Sequence, residues 1–280
     1  MAAAKKTSTT ATTRTTSTSD TGHAKNVANF QTLIIDCQGF GTSYNPSNPN
    51  IAIPQLQNDY TNADTSITDV TTKHNDLNHT INTREVLFIT LKPLATQIMA
   101  ALKASGANAQ TIKNAQTINH KIQGQKATKK IVVPPTPTPI PPNPTPNPGK
   151  AAAPVNISVS QQSFDNLVTH FSELVNYVAL YPAYNPNERA LKIVSLNTAA
   201  TNFTTANNNV KTAHTAYTTA VATRTKTLYN PITGLVQIAK EVTAYVKSAF
   251  GASSAQFKEV QGVHFRTLVA GKPRKHHKKK

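Results

Sequence analysis

The chain contains one cysteine, no tryptophan and few acidic residues. Cys37 is the only cysteine in 280 residues, so no disulfide can form within the chain, and a lone thiol fits the reducing cytoplasm. Only 12 aspartates and glutamates stand against 29 lysines and arginines, which leaves few residues for paired-carboxylate catalysis or a carboxylate metal site. We therefore expect a cytoplasmic protein whose fold does not depend on disulfides.

Long apolar runs and catalytic motifs are missing as well. No apolar run approaches the roughly 20 residues that span a bilayer, so we expect no transmembrane segment. No glycine-rich phosphate loop or nucleophile motif occurs, and His74, Asp76 and His79 lack the i, i+4 spacing of a helical metal pair. We predict no catalytic residues, no metal site and no cofactor, and hence a protein that is not an enzyme.

The sequence does contain an internal duplication. The Tyr-Asn-Pro of residues 44–46 returns at 184–186, and residues 44–90 align with 184–230 without a gap, with thirteen identical pairs among forty-seven. A duplication of this length indicates two related structural units. Both copies space apolar residues at i, i+3, i+4 and i+7 and show no strand-like alternation, so we predict an all-α fold.

The longest pattern in each copy is a heptad seam. It runs from Ile53 to Phe88 in copy one and from Ile193 to Leu228 in copy two, in alternating steps of three and four residues. A helix of about 36 residues is roughly 54 Å long and cannot bury its seam alone. We therefore predict two tandem antiparallel helical bundles, each with one long central helix.

Composition sets the expected boundaries. Residues 1–26 are basic and rich in Thr and Ser, which predicts a disordered arm, and residues 127–156 are rich in proline, which predicts an extended linker between the repeats. The two helical bundles are placed at 27–126 and 157–269. Residues 270–280 form the expected disordered polybasic tail.

One segment of the second repeat carries a family resemblance. Residues 233–251 read Thr-Gly-Leu-Val-Gln-Ile-Ala-Lys-Glu-Val-Thr-Ala-Tyr-Val-Lys-Ser-Ala-Phe-Gly. This segment resembles an uncharacterised family of bacterial helical-repeat proteins with no known activity. Copy one departs from the pattern. The resemblance implies a bacterial helical protein and no particular function.

Polar residues recur at two seam positions. His74 and His214 occupy one position, and Arg84 and Arg224 occupy a later one. A repeated polar site is one interpretation, in which the histidines titrate near neutral pH and the arginines hold an anion. The interpretation we favour is that these polar groups fix the register of the helices.

The strongest functional feature is the polybasic tail. A dense cationic segment binds polyanions by releasing condensed counterions, and we expect nucleic acid, bound through its phosphates without sequence specificity. Acidic lipid headgroups, a protein partner, or a tail that only solubilises the chain are the alternatives. The rival hypothesis is a structural or scaffold protein that self-associates, or binds another protein, through its helical seams. The expected polyanion-binding residues are Lys272, Arg274, Lys275, Lys278, Lys279 and Lys280.

Overall fold

A computed structural model describes residues 18–124 and 162–267. These two ranges contain eight α-helices, three short 3-10 turns and no strand, which confirms the all-α prediction. The helices are α1 Thr18–Gly39, α2 Ile53–Ile89, α3 Leu91–Ala104, α4 Ala109–Gln123, α5 Phe164–Ala179, α6 Ile193–Tyr229, α7 Leu235–Phe250 and α8 Ala255–Gly262.

The two long helices were predicted correctly. Helices α2 and α6 each contain 37 residues. Pro54 is tolerated because it lies in the first turn of α2, where a backbone N–H has no helical partner. Pro93 lies in the first turn of α3 for the same reason, one turn after α2 ends at Ile89.

The helices group into two compact units, and neither unit corresponds to one repeat. Of the described residues, the first unit contains 18–77 and 213–267, and the second contains 78–124 and 162–212. Each long helix therefore contributes one part to each unit. The first unit combines α1 with α7 and α8, and the second combines α5 with α3 and α4.

The prediction of one bundle per repeat, at 27–126 and 157–269, is thus corrected. One hydrophobic core joins Phe30 of α1 to Val242 of α7, and the other joins Ile98 of α3 to Phe171 of α5. The long helices have 37 residues, whereas the other helices have at most 22. The shorter helices of a single repeat cannot cover the whole apolar seam of a long helix. Helices from both copies therefore cover each seam.

Packing is equivalent within the two units. In the first, α1, α7 and α8 all pack against one another; in the second, α5, α3 and α4 do the same. In the second unit Phe88 packs on Phe203 and Arg84 contacts Asn207, so these segments of α2 and α6 run antiparallel. By position in the repeats, α1 corresponds to α5, α7 to α3 and α8 to α4.

The repeated Tyr-Asn-Pro turn is built the same way twice. The Tyr44 hydroxyl donates to the Ile51 carbonyl at 2.7 Å, and the Tyr184 hydroxyl donates to the Leu191 carbonyl at 3.1 Å. Both rings are buried. Each bond ties the turn to a residue two positions before a long helix, which explains why the tyrosine recurs with the seam.

Two further boundaries differ from the prediction. Helix α1 begins at Thr18, so residues 18–26 are helical and not part of a disordered arm, because His23, Asn26 and Val27 are buried in the first unit. The linker predicted at 127–156 lies outside the described residues. Its flanks both belong to the second unit, where Gln162 Nε2 donates to the Lys121 carbonyl at 2.7 Å. The linker therefore joins α4 to α5 within one unit.

One helical stretch is long and apolar enough to cross a membrane. It covers Ile53–Ala104, with a mean hydropathy of 1.4 over its most apolar window, and 33% of that window is buried. Within this stretch Leu91, Ile98 and Leu102 are fully buried in the core of the second unit. Their burial is the packing of a core helix against protein.

Candidate functional site

The predicted polyanion-binding residues, from Lys272 to Lys280, lie outside the described residues. The described ranges 18–124 and 162–267 contain all 12 acidic residues and 16 of the 29 lysines and arginines. The other thirteen basic residues therefore lie in segments that carry no acid. Most of the net charge of +17 belongs to those segments.

The chain that leads into the polybasic tail is fixed to the first unit by Asn26. The Asn26 Nδ2 donates to the Arg266 carbonyl, and the Arg266 N–H donates to Asn26 Oδ1, both at 2.8 Å. The Asn26 side chain is fully buried. Asn29, one turn later, donates to the His264 carbonyl at 2.6 Å. Two asparagines of α1 thus hold residues 263–267 along that helix.

Tyr229 connects this anchor to α6. Its hydroxyl lies 2.7 Å from His23 Nδ1 and accepts a bond from Asn26 Nδ2 at 3.3 Å. Burial raises the pKa of Tyr229, and the bond from Asn26 and the charge of Arg224 offset part of this rise. The Tyr229 phenol therefore stays neutral, and its hydrogen bonds link α6 to α1 next to the anchored segment.

A basic cleft of about 450 Å³ lies beside this anchor. Its charged or titratable lining residues are Lys25 of α1 and His264 and Arg266 of the anchored segment; among the described residues no acid lines it. Gly22 faces the same segment, since a Cβ on it would lie 3.8 Å from the Arg266 Cδ. The two outer limits of the described chain therefore approach each other at this cleft.

The four repeated polar seam residues do not form one site. In the first unit the His74 ring lies 5.3 Å from the Tyr217 ring, Arg224 is 8% exposed and His214 is exposed. Arg84 belongs to the second unit. The seam position of His214 was therefore predicted wrongly, because Ala213 and Tyr217 occupy the partly buried positions on either side of it.

Arg84 belongs to a structural network in the second unit. Its guanidinium donates to Asn207 Oδ1 at 3.1 Å and lies 3.8 Å from the Phe164 ring centre. Asn207 in turn donates to Asp165 Oδ1 at 2.7 Å, and Lys211 lies 2.7 Å from the same oxygen. This chain of contacts joins α2, α5 and α6, as expected of polar residues that fix register.

Metal-ligating side chains are not clustered in the described part of the chain. No group of three or more His, Cys, Asp and Glu residues there could hold a metal ion. His79 is exposed, and Asp76 lies 3.9 Å from Lys73 in an exposed ion pair. These contacts are those of a solvated helix face.

The first unit also carries a polar groove of about 600 Å³ between its segments of α2 and α6. Its charged lining residues are Asp59, Asp69 and Lys226. Asp59 Oδ1 accepts a bond from Gln55 at 2.9 Å, whereas its buried Oδ2 has no hydrogen-bond partner, and burial raises the pKa of this carboxyl. In the aligned repeat the equivalent residues are Ala199, Asn209 and Val86. The charges are therefore not required by the fold.

The sequence analysis did not predict the residues that anchor the segment before the tail. Asn26 lies four residues and Asn29 one residue before Phe30, which marks them only as polar neighbours of an apolar stripe. Their partners Arg266 and His264 lie 240 and 235 positions away. No local pattern reports a contact between such distant positions.

Comparison of the chain with protein-family models, curated proteins and solved structures finds no match. The resemblance of residues 233–251 to bacterial helical-repeat proteins therefore stays a prediction. Conclusions about function rest on the geometry and charge of this chain.

Proposed function

We propose that this chain is a non-enzymatic, internally duplicated helical protein that binds a polyanion, with nucleic acid as the expected partner. The basic cleft of Lys25, His264 and Arg266 is the folded part of the binding surface. The basic segments 1–17 and 268–280 extend that surface. Binding proceeds through phosphates, since neither unit offers a recognised base-reading element.

The observation that carries this proposal is the pairing of Asn26 with the backbone of Arg266. This anchor fixes Arg266, two positions before residues 268–280, against α1, the helix that follows residues 1–17. The two segments contain nine of the basic residues and no acid. Two cationic segments that start close together act on the same stretch of polyanion, because binding of one raises the effective concentration of the other.

Salt dependence measures how many phosphates are contacted. For duplex DNA, the logarithm of the affinity falls with the logarithm of the salt concentration with a slope of about −0.9 per phosphate contact. If all six cations of the tail each contact one phosphate, removing them should reduce the slope by about 5. If Lys25 and Arg266 of the cleft also contact phosphates, replacing them should reduce the slope by about 1 to 2.

The test is a binding titration across a salt series with duplex DNA, single-stranded RNA and heparin. Four proteins are compared: the full chain, residues 1–271, residues 18–280, and the double variant Lys25→Gln, Arg266→Gln. The matched control is Lys103→Gln with Lys113→Gln, which removes two exposed charges from the second unit. We expect a large loss for residues 1–271 and a smaller loss for the cleft variant, beyond that of the control.

The outcomes separate the parts of the proposal. Unchanged affinity in residues 1–271 would overturn the role of the tail. Equal losses in the cleft variant and its control would remove the cleft from the binding surface and leave a charge effect only. Equal affinity for heparin and both nucleic acids would assign the protein to polyanions in general.

The scaffold alternative stays a prediction, and the seams do not favour it. Val70 and Val210 lie on the two seams and are 8% and 9% exposed. Assembly through the seams would require these side chains to leave packing contacts within the chain. Light scattering of the full chain tests the alternative, and a monomer at micromolar concentration would count against it.

A further inference from the structure

The third helices of the two repeats, α7 and α3, correspond residue by residue. Leu235, Ala239, Val242 and Val246 of α7 are buried, and with a constant offset their counterparts Leu91, Ala95, Ile98 and Leu102 in α3 are also buried. This offset is four residues larger than that of the long helices, because the connection from α6 to α7 is four residues longer than the connection from α2 to α3. The correspondence pairs Tyr245 with Ala101.

In the first unit Tyr245 packs on the repeated turn. Its ring stands edge-on to the Tyr44 ring, with centres 5.2 Å apart, and its hydroxyl accepts the Asn45 N–H at 3.1 Å. Tyr245 is half-buried and belongs to the packing around the first core. The turn at Tyr44 therefore receives an aromatic ring that carries a hydroxyl.

In the second unit the Tyr245 ring has no counterpart, and the space beside Ala101 is open. A cavity of about 660 Å³ lies between α3 and the turn, lined by Ala101, the counterpart of Tyr245, and by Asn185, the counterpart of Asn45. Ala100, Ala104 and Leu191 supply further apolar wall. Tyr184 is buried at 5% exposure and keeps its bond to Leu191, so the turn is intact without the second ring.

We propose that this cavity is a binding site for a small molecule with a p-hydroxyphenyl group, whose ring takes the place that Tyr245 fills in the first unit. The cavity is within the usual size range of preformed ligand sites, with an apolar wall and a few polar groups at one side. The equivalent place in the first unit holds the ring of Tyr245, which indicates an aromatic ligand rather than an aliphatic one. The remaining volume accommodates the rest of the ligand.

The polar rim sets the charge of the ligand. Gln97, Asn185 and Asn187 offer neutral donors and acceptors, and Glu188 is the one charged residue among those lining the cavity. The negative charge of Glu188 also contributes to raising the pKa of Tyr184 to about 12, after burial. In the second unit the Asn185 N–H donates to the Ala183 carbonyl, whereas its counterpart, the Asn45 N–H, donates to the Tyr245 hydroxyl. Glu188 is thus the partner we expect for a ligand hydroxyl. A neutral phenol, which can donate to Glu188, should therefore bind better than a ligand with a carboxylate.

The experiment titrates p-cresol, the side-chain analogue of tyrosine, into the full chain and follows backbone amides by NMR. We expect saturable shifts at residues 100–104 and 185–188, with a dissociation constant on the order of 1 mM for so small a ligand. Three further probes define the class: cyclohexylmethanol, 4-hydroxybenzoate and N-acetyl-tyrosinamide. The first two should bind at least about fivefold more weakly, and the third distinguishes a tyrosine in a peptide from a free phenol.

Two variants fill the cavity, and one control adds a ring elsewhere on α3. Ala101→Tyr copies the first unit and should weaken p-cresol binding at least tenfold while raising the melting temperature; Ala101→Leu is a smaller filler with the same expected direction. Lys103→Tyr places a ring at an exposed position of the same helix and should leave binding unchanged. Conversely, Tyr245→Ala should add a second set of shifts at residues 45–51.

Specific results would overturn the proposal. Absence of saturable shifts at residues 100–104 in the unmodified chain would remove the site. Unchanged binding in a folded Ala101→Tyr or Ala101→Leu variant would place the ligand elsewhere. Equal binding of cyclohexylmethanol would reject the aromatic class.

Discussion

Asn26 and Arg266 are separated by 240 positions in the sequence and are joined by two hydrogen bonds of 2.8 Å in the first unit. The amide of Asn26 pairs with a backbone N–H and carbonyl, as a neighbouring strand would. This contact converts residues 263–267 from a free end of α8 into a fixed part of the unit.

Replacement of Asn26 by Ala should lower the free energy of unfolding by roughly 1–3 kcal/mol, because the bonds to Arg266 are lost at a buried site. Thermal denaturation followed by circular dichroism measures the change. Asn29→Ala is the matched control, since Asn29 donates one exposed bond to the neighbouring His264. The loss should be smaller there. Equal losses for the two variants would contradict the role assigned to Asn26.

The contact between Arg84 and Asn207 should contribute to the free energy of unfolding. Asn207→Ala removes the acceptor of Arg84 and the donor to Asp165 at a site that is 4% exposed, so it should cost roughly 1–3 kcal/mol of stability. A double-mutant cycle with Arg84→Met should give a coupling of about 0.5–1.5 kcal/mol. Chemical denaturation supplies all four values.

The exposed His214 is the control for this cycle. His214→Ala should change stability by less than about 0.5 kcal/mol, because surface substitutions away from packed contacts have small effects. A large loss at His214, or additive losses at Arg84 and Asn207, would contradict the division between structural and solvated polar seam residues.

The helices themselves could be predicted from the sequence because their signals are local. The heptad spacing from Ile53 to Phe88 and from Ile193 to Leu228 identified both long helices. Gly251 follows the last apolar residue of its helix in the sequence, and it ends α7 with φ at 93°, a backbone conformation that favours glycine. Local spacing and backbone freedom are properties that a sequence displays directly.

The partners of those helices could not be predicted. A seam reveals that Leu56 and Leu196 will be buried, but not which copy supplies the covering helix. Since the two copies are similar, α7 of the second repeat fits beside α1 as well as α3 would by its apolar pattern. The lengths of the long helices, 37 residues against at most 22 for the other described helices, were the one indication that helices of both copies cover each seam.

The regions proposed to bind a polyanion or a small molecule could be predicted only in part, for the same reason. The charge of Lys272 to Lys280 is visible in composition, whereas the cleft depends on contacts between α1 and residues 263–267. The difference between Tyr245 and Ala101 is also hidden, because it becomes visible only once the two helices are paired through their burial. Sequence analysis therefore identified the charged segments but neither cavity.

The partly buried carboxyl of Asp59 should make the stability of the protein depend on pH. Burial raises the pKa of this carboxyl above its ordinary value of 3.8, so the folded protein binds the proton more tightly than the unfolded chain does. The contribution of Asp59 to stability is therefore full below pH 3.8 and is lost as the pH rises through the folded pKa. Asp59→Asn removes the buried charge and should raise the melting temperature at pH 7.

The control for Asp59 is the exposed Asp69 of the same groove. Asp69→Asn should leave the melting temperature nearly unchanged at pH 7. The advantage of Asp59→Asn should shrink as the pH falls toward 3.8, where the native carboxyl becomes protonated. An advantage that stays constant from pH 7 to pH 3.5 would show that the effect does not come from the charge.

Cys37 provides a reporter of opening in the first unit. Its side chain is fully buried, and burial raises the pKa of the thiol to about 12, an effect that the bond with Tyr44 offsets in part. At pH 8 the thiolate fraction should be roughly a thousandfold lower than in the unfolded chain, whose thiol has a pKa of about 8.5. Labelling with a thiol reagent should therefore be slow in the native protein and fast in denaturant.

Because Cys37 is the only thiol in the chain, its labelling rate measures one site. Asn26→Ala should accelerate labelling if the anchored segment closes the first unit over α1, whereas Asn207→Ala, in the second unit, should do so less. The same variants compared in denaturant, where their rates should be equal, control for changes in intrinsic reactivity. Rapid labelling of the unmodified protein at pH 8 would contradict the burial of Cys37.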